Sequence, residues 1–252
     1  MNNTVQISKC VSLFFQRLLN GMGKPFGINP FPRYFEYELP APSRAHAFDE
    51  IYKNNAWGSI ESRSGVGSEM VATKRYRLAL ASLIRQQNFQ TMFDAPCGDL
   101  NWMPAVLEQV NLTYRGGDIS PSLVAHVAST HPEFSVSTFD ICRDDFPKAD
   151  VWHCRDCLFH LPFADIRAAL QRFVKSEIPY LLLTTHRARW LHRNLDLCEV
   201  GFRVIDFERA PFSFPKPLAL LPDFRVGVDF PRYVALWSRT AIRAALETNE
   251  KP

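Results

Sequence analysis

Residues 91–102 read Thr-Met-Phe-Asp-Ala-Pro-Cys-Gly-Asp-Leu-Asn-Trp, and this run limits the possible folds more than any other. A short apolar stretch, Met92 and Phe93, ends in the acid Asp94, and a Pro-Cys-Gly turn follows. Leu100, Trp102, Met103, Val106 and Leu107 then recur at helical spacing. Strand, tight turn and helix in that order form the unit on which α/β folds bind nucleotide-like ligands. The run at 113–118, Thr-Tyr-Arg-Gly-Gly-Asp, reads as the next strand, tipped by Asp118 and Ile119. A carboxylate there can accept hydrogen bonds from both hydroxyls of a ribose. A dinucleotide fingerprint needs three glycines in the turn, and this one holds only Gly98; Pro96 has no N–H to offer a phosphate. A nucleoside that ends in an amino acid asks less. Asp94 and Asp99 suit an ammonium, and the amides around Gly98 suit a carboxylate.

The flanking sequence continues the α/β alternation. Residues 71–89 carry Val71, Tyr76, Leu78, Leu80, Leu83 and Ile84 on or near one helical face. Residues 121–129 form a helix with Ser120 as N-cap and Pro121 at its first position. Strands are expected at 134–139, 149–154 and 180–185, and a helix at 164–174. A helix is expected at 189–199, stopping at Gly201, and two last strands at 202–207 and 233–237, paired as an antiparallel hairpin. The connection between them, 209–231, is rich in proline and phenylalanine, and a loop of that length is usually functional.

Ahead of the first strand, residues 48–70 form a candidate lid. They include Trp57-Gly58-Ser59, Glu61-Ser62 and Ser64-Gly65-Val66-Gly67-Ser68, which supply mobile backbone, hydroxyls and an acid beside an indole. With the turn at 94–102 and the acid at Asp118, this pattern resembles the class I S-adenosylmethionine-dependent methyltransferases. The resemblance is to a subgroup carrying Trp-Gly-Ser-x-Glu-Ser-x-Ser-Gly-x-Gly-Ser before the first motif, and it covers roughly 45–240. It implies a Rossmann-like sheet of seven strands, mostly parallel with an antiparallel last strand, and helices on both faces. It also implies S-adenosylmethionine as cofactor. The expected contacts are Asp94, Pro96, Gly98, Asp99, Asp118 and Ile119, the lid residues Trp57 and Ser59, and Asp140 and Ile141 beside the adenine.

Residues 1–44 lie outside the resemblance. Residues 10–20 read as an amphipathic helix ending near Gly21, which either packs on its own domain or touches a membrane or partner. Five prolines between 22 and 43 alternate with Phe26, Phe31, Tyr34, Phe35 and Tyr37, a strap lying on a surface. No stretch is long enough to span a bilayer. Lys and Arg are dispersed and the net charge is +3, which argues against dedicated nucleic-acid binding. Six cysteines in 252 residues do not make a disulfide scaffold, so a cytoplasmic protein with reduced thiols is expected.

The loop 155–162 after the fourth strand faces the expected reaction site, and it supplies Asp156 and His160; His186 follows the fifth strand. His160 is the leading candidate base for a hydroxyl acceptor, with His186 second and Asp156 orienting a ring or the acceptor. His153, Cys154, Cys157 and His160 resemble a metal set in composition, but neighbouring strand residues point to opposite faces, so no metal is expected. No Asn- or Asp-Pro-Pro-aromatic run of the amino-methylating enzymes is present, which favours oxygen in a small polar, sugar-like or phenolic molecule. Three alternatives stand beside this reading. One is an amine methylase. Another is a non-catalytic partner subunit with the basic stretch 187–193 as interface. The last is a nucleotide-dependent oxidoreductase, which the missing glycines disfavour.

Overall fold

A computed structural model describes residues 38–39, 41–187, 192–223 and 231–249. The expected helix at 10–20 and most of the aromatic-proline strap lie outside those residues. A seven-stranded sheet forms the centre. In chain order its strands are β2 (Thr91–Asp94), β3 (Thr113–Asp118), β4 (Ser135–Thr138), β5 (Val151–Cys154), β6 (Tyr180–His186), β8 (Ala219–Pro222) and β9 (Arg232–Ser238). They lie in the order β4-β3-β2-β5-β6-β9-β8. Only β9 is reversed, pairing antiparallel with both β6 and β8. A separate two-stranded ribbon joins β1 (Glu38–Leu39) to β7 (Val200–Gly201).

Side-chain alternation along the central strands divides the core into two layers. Phe93, Trp152, Leu181, Leu183, Ala235 and Trp237 face α5 (Phe163–Lys175) and α6 (Arg239–Asn249), whose Ile166, Leu170, Phe173 and Ile242 cover them. Their neighbours Met92, Val151, Leu182, Val234 and Leu236 face the other way. There they meet Tyr76, Leu80, Leu83 and Ile84 of α2 (Met70–Gln87) and Leu123 and Val127 of α4 (Pro121–Thr130). Both faces are covered, as a parallel sheet requires. The Ser120 hydroxyl accepts from the Leu123 amide as N-cap of α4, and α2 stops at Asn88 with a left-handed φ of 54°. Among the described residues no helix is long and apolar enough to cross a membrane.

The C-terminal third departs from expectation. The segment 202–207 is not a strand; the partner of β9 is β8, which lies inside the stretch expected to be an unstructured acceptor loop. Its Ala-Leu-Leu-Pro sequence carries no alternation, so only the register with β9 identifies it as a strand. Residues 192–199 form no helix: the Asn194 side chain bonds the Asp206 backbone at both its carbonyl and its amide, tying the chain down as an extended segment. The helix after the first motif is short as well. Helix α3 (Pro104–Leu107) begins at Pro104, and Leu100, with φ 56°, is bent out of helical geometry.

Candidate functional site

A cavity of about 420 Å³ opens over the carboxyl ends of β2, β3, β5 and β6, the crevice where α/β sheets take ligands. At one end stand Asp94 and Asp118, the tips of adjacent strands, together with Pro96, Gly98 and Ile119. Asp118 accepts from the amides of Gly98 (3.2 Å) and Ser120 (3.0 Å). Burial nevertheless pushes its carboxyl up to about 6, against the pull of those two amides. Gly98 sits at φ 60°, in left-handed space, and a Cβ there would come within 2.6 Å of Ser64 Oγ. Close approach is also needed at Gly116, whose Cβ would meet the Cys97 sulfur and Val136 at 3.0 Å. Gly116 thus lets the motif turn lie against the strand, while Gly117 makes room for Phe139 and Phe93.

Asp94 is held in a buried network that the sequence did not disclose. Its two oxygens meet His153 Nδ1 (2.6 Å) and the Tyr114 hydroxyl (2.8 Å), and His153 Nε2 meets the Tyr76 hydroxyl at 2.8 Å. His153 was legible only as a metal candidate. Its register beside Asp94 in the parallel pair β2–β5 gives it this different role. Among the described residues no cluster of three His, Cys, Asp or Glu side chains is placed to hold a metal ion.

Residues 48–70 do not form one continuous loop. Positions up to 53 belong to α1 (Arg44–Lys53), Met70 opens α2, and 54–69 are a loop with one 3₁₀ turn at Val66–Ser68. That loop is fastened to the motif turn. The Ser62 hydroxyl donates to Asp99, Ser64 Oγ accepts from the Asp99 amide, and the Asn101 amide group donates to Glu61 and to the Ser68 carbonyl. Asp99 therefore holds the lid and does not line the cavity. Ser59 does not line it either, its hydroxyl bonding Glu69 at 2.7 Å. Asp140 and Ile141 also lie outside the cavity wall. Asp140 forms a two-pronged pair with Arg44 (2.8 and 2.9 Å), while Ile141 is buried in the core. The sequence offered no sign that Arg44, nearly a hundred residues earlier, would occupy that carboxylate.

Another part of the cavity wall is aromatic. Trp57 stacks on His160 (centroids 5.6 Å apart, planes at 26°), and Phe159, Phe202 and Phe48 surround the same imidazole. His160 Nδ1 lies 2.6 Å from the Gly201 carbonyl, which can only accept, so Nδ1 carries the proton and Nε2 is left as an acceptor. Burial lowers the ring to about 4, reinforced by the charges of Arg203 and Arg232 and resisted by the Gly201 bond. His186 is lowered to about 3, again chiefly by burial. Both rings line the cavity and are neutral at physiological pH. Asp156, at φ 54°, reaches Arg155 (3.3 Å) and Arg232 (3.2 Å), and Asp223 reaches the same two guanidinium groups at 2.8 and 3.3 Å. Two carboxylates against two guanidinium groups leave this part of the wall electrically balanced. Arg155 adjoins a predicted site residue, but Arg232 and Asp223 join only through the β8–β9 pairing, which the sequence did not reveal.

The fold matches that of solved methyltransferases. Magnesium protoporphyrin IX methyltransferase from Synechocystis PCC 6803, with bound S-adenosylmethionine (SAM), superposes at a TM-score of 0.56 and 11% identity, over 79% of this chain and 99% of that one. Burkholderia thailandensis 1,6-didemethyltoxoflavin-N1-methyltransferase, with its substrate and S-adenosylhomocysteine bound, gives 0.52 and 15% over 82% and 99%. The methyltransferase domain of bacterial CtHen1-CN gives 0.50 and 12% over 66% and 99%. No protein-family model matches the chain, and no curated protein matches it in sequence. These likenesses, with the single reversed strand, identify the Rossmann-like methyltransferase fold.

Proposed function

We propose that the chain transfers a methyl group from S-adenosylmethionine to the hydroxyl of a small acceptor, sugar-like or phenolic. The observation that carries this reading is one cavity lined both by two buried strand-tip carboxylates, Asp94 and Asp118, and by the neutral imidazole of His160. The donor set fits the cofactor. Asp118 is a desolvated carboxyl at the tip of the second strand, and a vicinal diol would supply the hydrogen bonds that burial removes. Asp94 and the turn at Pro96–Gly98, whose Cys97 and Gly98 amides already donate to the Gly117 carbonyl and to Asp118, stand where the amino-acid end would lie, and Ile119 flanks the nucleoside. S-adenosylmethionine, when bound, supplies a methyl group on a positively charged sulfur, which keeps the bond's electron pair as a neutral thioether.

The chain's own groups do the rest. His160 Nε2 accepts the acceptor's hydroxyl proton as the oxygen–carbon bond forms, and Gly201 fixes the tautomer that leaves Nε2 open. His186 offers a second ring at the same wall, and Asp156 is positioned by Arg155 and Arg232 to orient the acceptor. The fastened lid excludes water from the reacting atoms. Incubation with methyl-labelled S-adenosylmethionine and a panel of hydroxylated acceptors tests the proposal: transfer to oxygen that disappears in Asp118→Ala supports it. Absence of measurable S-adenosylhomocysteine binding by calorimetry refutes it, and binding without turnover on any acceptor class leaves a non-catalytic subunit as the answer.

A further inference from the structure

Resting on that reading, we propose that the acceptor is a flat, uncharged ring bearing one reactive hydroxyl, seated in the aromatic part of the cavity, and not a sugar or an ionised molecule. The walls there are Phe48, Trp57, Phe159, Phe202 and Val204, with His160 set among the rings. Flat faces of this kind attract a flat, polarisable partner, because offset and edge-on ring contacts add to the burial of apolar surface. The polar side is the stronger discriminator. Each buried hydroxyl needs a hydrogen-bond partner, and a pyranose brings several.

Among the described residues, the ring nitrogens available in this part are Nε2 of His160 and of His186, whose Nδ1 atoms meet the Gly201 and Ile205 carbonyls. Of the lid serines in the cavity wall, Ser64 accepts from the Asp99 amide and Ser68 adds one further hydroxyl. Charge is no better served. The guanidinium groups of Arg155 and Arg232 are matched by Asp156 and Asp223, and both histidines are neutral. An anionic or cationic acceptor would give up its hydration against this matched cluster of described residues, the remaining guanidinium of the cavity, Arg63, lying over the Tyr52 ring. A single phenol-type hydroxyl asks for one acceptor, which His160 Nε2 provides.

The test uses calorimetry on the full chain preloaded with S-adenosylhomocysteine. The probes are 2-naphthol, 2-naphthoate and methyl β-glucoside. Expected are a Kd for 2-naphthol at least tenfold below those of the other two, and a rise of at least tenfold for 2-naphthol in both Phe202→Ser and Trp57→Ala. The Phe202→Ser chain should bind S-adenosylhomocysteine as the wild type does, which shows that it folds. Glucoside or naphthoate binding as tight as 2-naphthol overturns the inference while leaving methyl transfer standing, as does an unchanged 2-naphthol Kd in either variant. A chain that cannot take up S-adenosylhomocysteine refutes the methyltransferase reading, and this inference falls with it.

Discussion

Proton release on cofactor binding is the most direct consequence of burying Asp118. With its pKa at about 6, roughly a tenth of these carboxyls are ionised at pH 5 and roughly nine-tenths at pH 7. If the ionised form grips both ribose hydroxyls, the affinity for S-adenosylhomocysteine should rise about tenfold across that window, roughly 1.4 kcal/mol. His160 at about 4 and His186 at about 3 are largely neutral throughout it, and the Cys97 thiol, raised by burial, stays protonated. Of these groups, Asp118 is therefore the one whose charge changes between pH 5 and 7. The same group destabilises the empty fold. Its folded pKa exceeds the unfolded value of 3.8, so its stabilising contribution is complete below about 4 and is lost as pH rises through about 6. That loss amounts to about 3 kcal/mol, the worth of a shift of about two units. Calorimetric titration from pH 5 to 8, in two buffers of different ionisation enthalpy, would measure both the affinity and the proton count. Asp118→Asn should abolish the slope and raise the melting temperature of the empty protein at pH 8. A flat affinity profile, or an unchanged slope in the Asn variant, would refute the reasoning.

Other perturbations address the remaining parts of the site. His160→Ala should lower kcat ~10²-fold with the S-adenosylhomocysteine Kd unchanged, read by steady-state kinetics beside calorimetry; equal turnover would remove the ring from proton transfer. Gly98→Ala puts a Cβ against Ser64 Oγ at 2.6 Å and a side chain into left-handed φ, so it should displace the lid and weaken cofactor binding. Faster proteolysis within 59–68 would report the displacement. Asp223→Asn leaves two buried guanidinium groups short of a charge, which should cost about 3–5 kcal/mol in urea unfolding. Tyr76→Phe removes the partner of His153 Nε2 and should cost about 1–3 kcal/mol in the same assay, while an unchanged midpoint would mean that the network relaxes without it.

Elements with local signals could be read from residue order alone. The strand–turn–helix at 91–107, the Ser120–Pro121 helix start and the periodic helix at 71–89 each depend on residues within a few positions of one another. So does the succession of strand tips that brings Asp94, Asp118, Asp156 and His186 to the carboxyl ends of the parallel strands. How those side chains are occupied follows from contacts made in the folded chain. Asp99 and Asp140 looked as open as Asp118 in the sequence, yet Ser62 and Ser64 take one and Arg44 takes the other. The exchange of 202–207 for Ala219–Pro222 as the last strand has the same origin, since a short strand without alternation is defined by the register of its neighbour. A hydrogen bond or ion pair ties residues close in space at any distance along the chain. Polar occupancy therefore leaves no periodic trace in the sequence, whereas burial on a helix or strand face does.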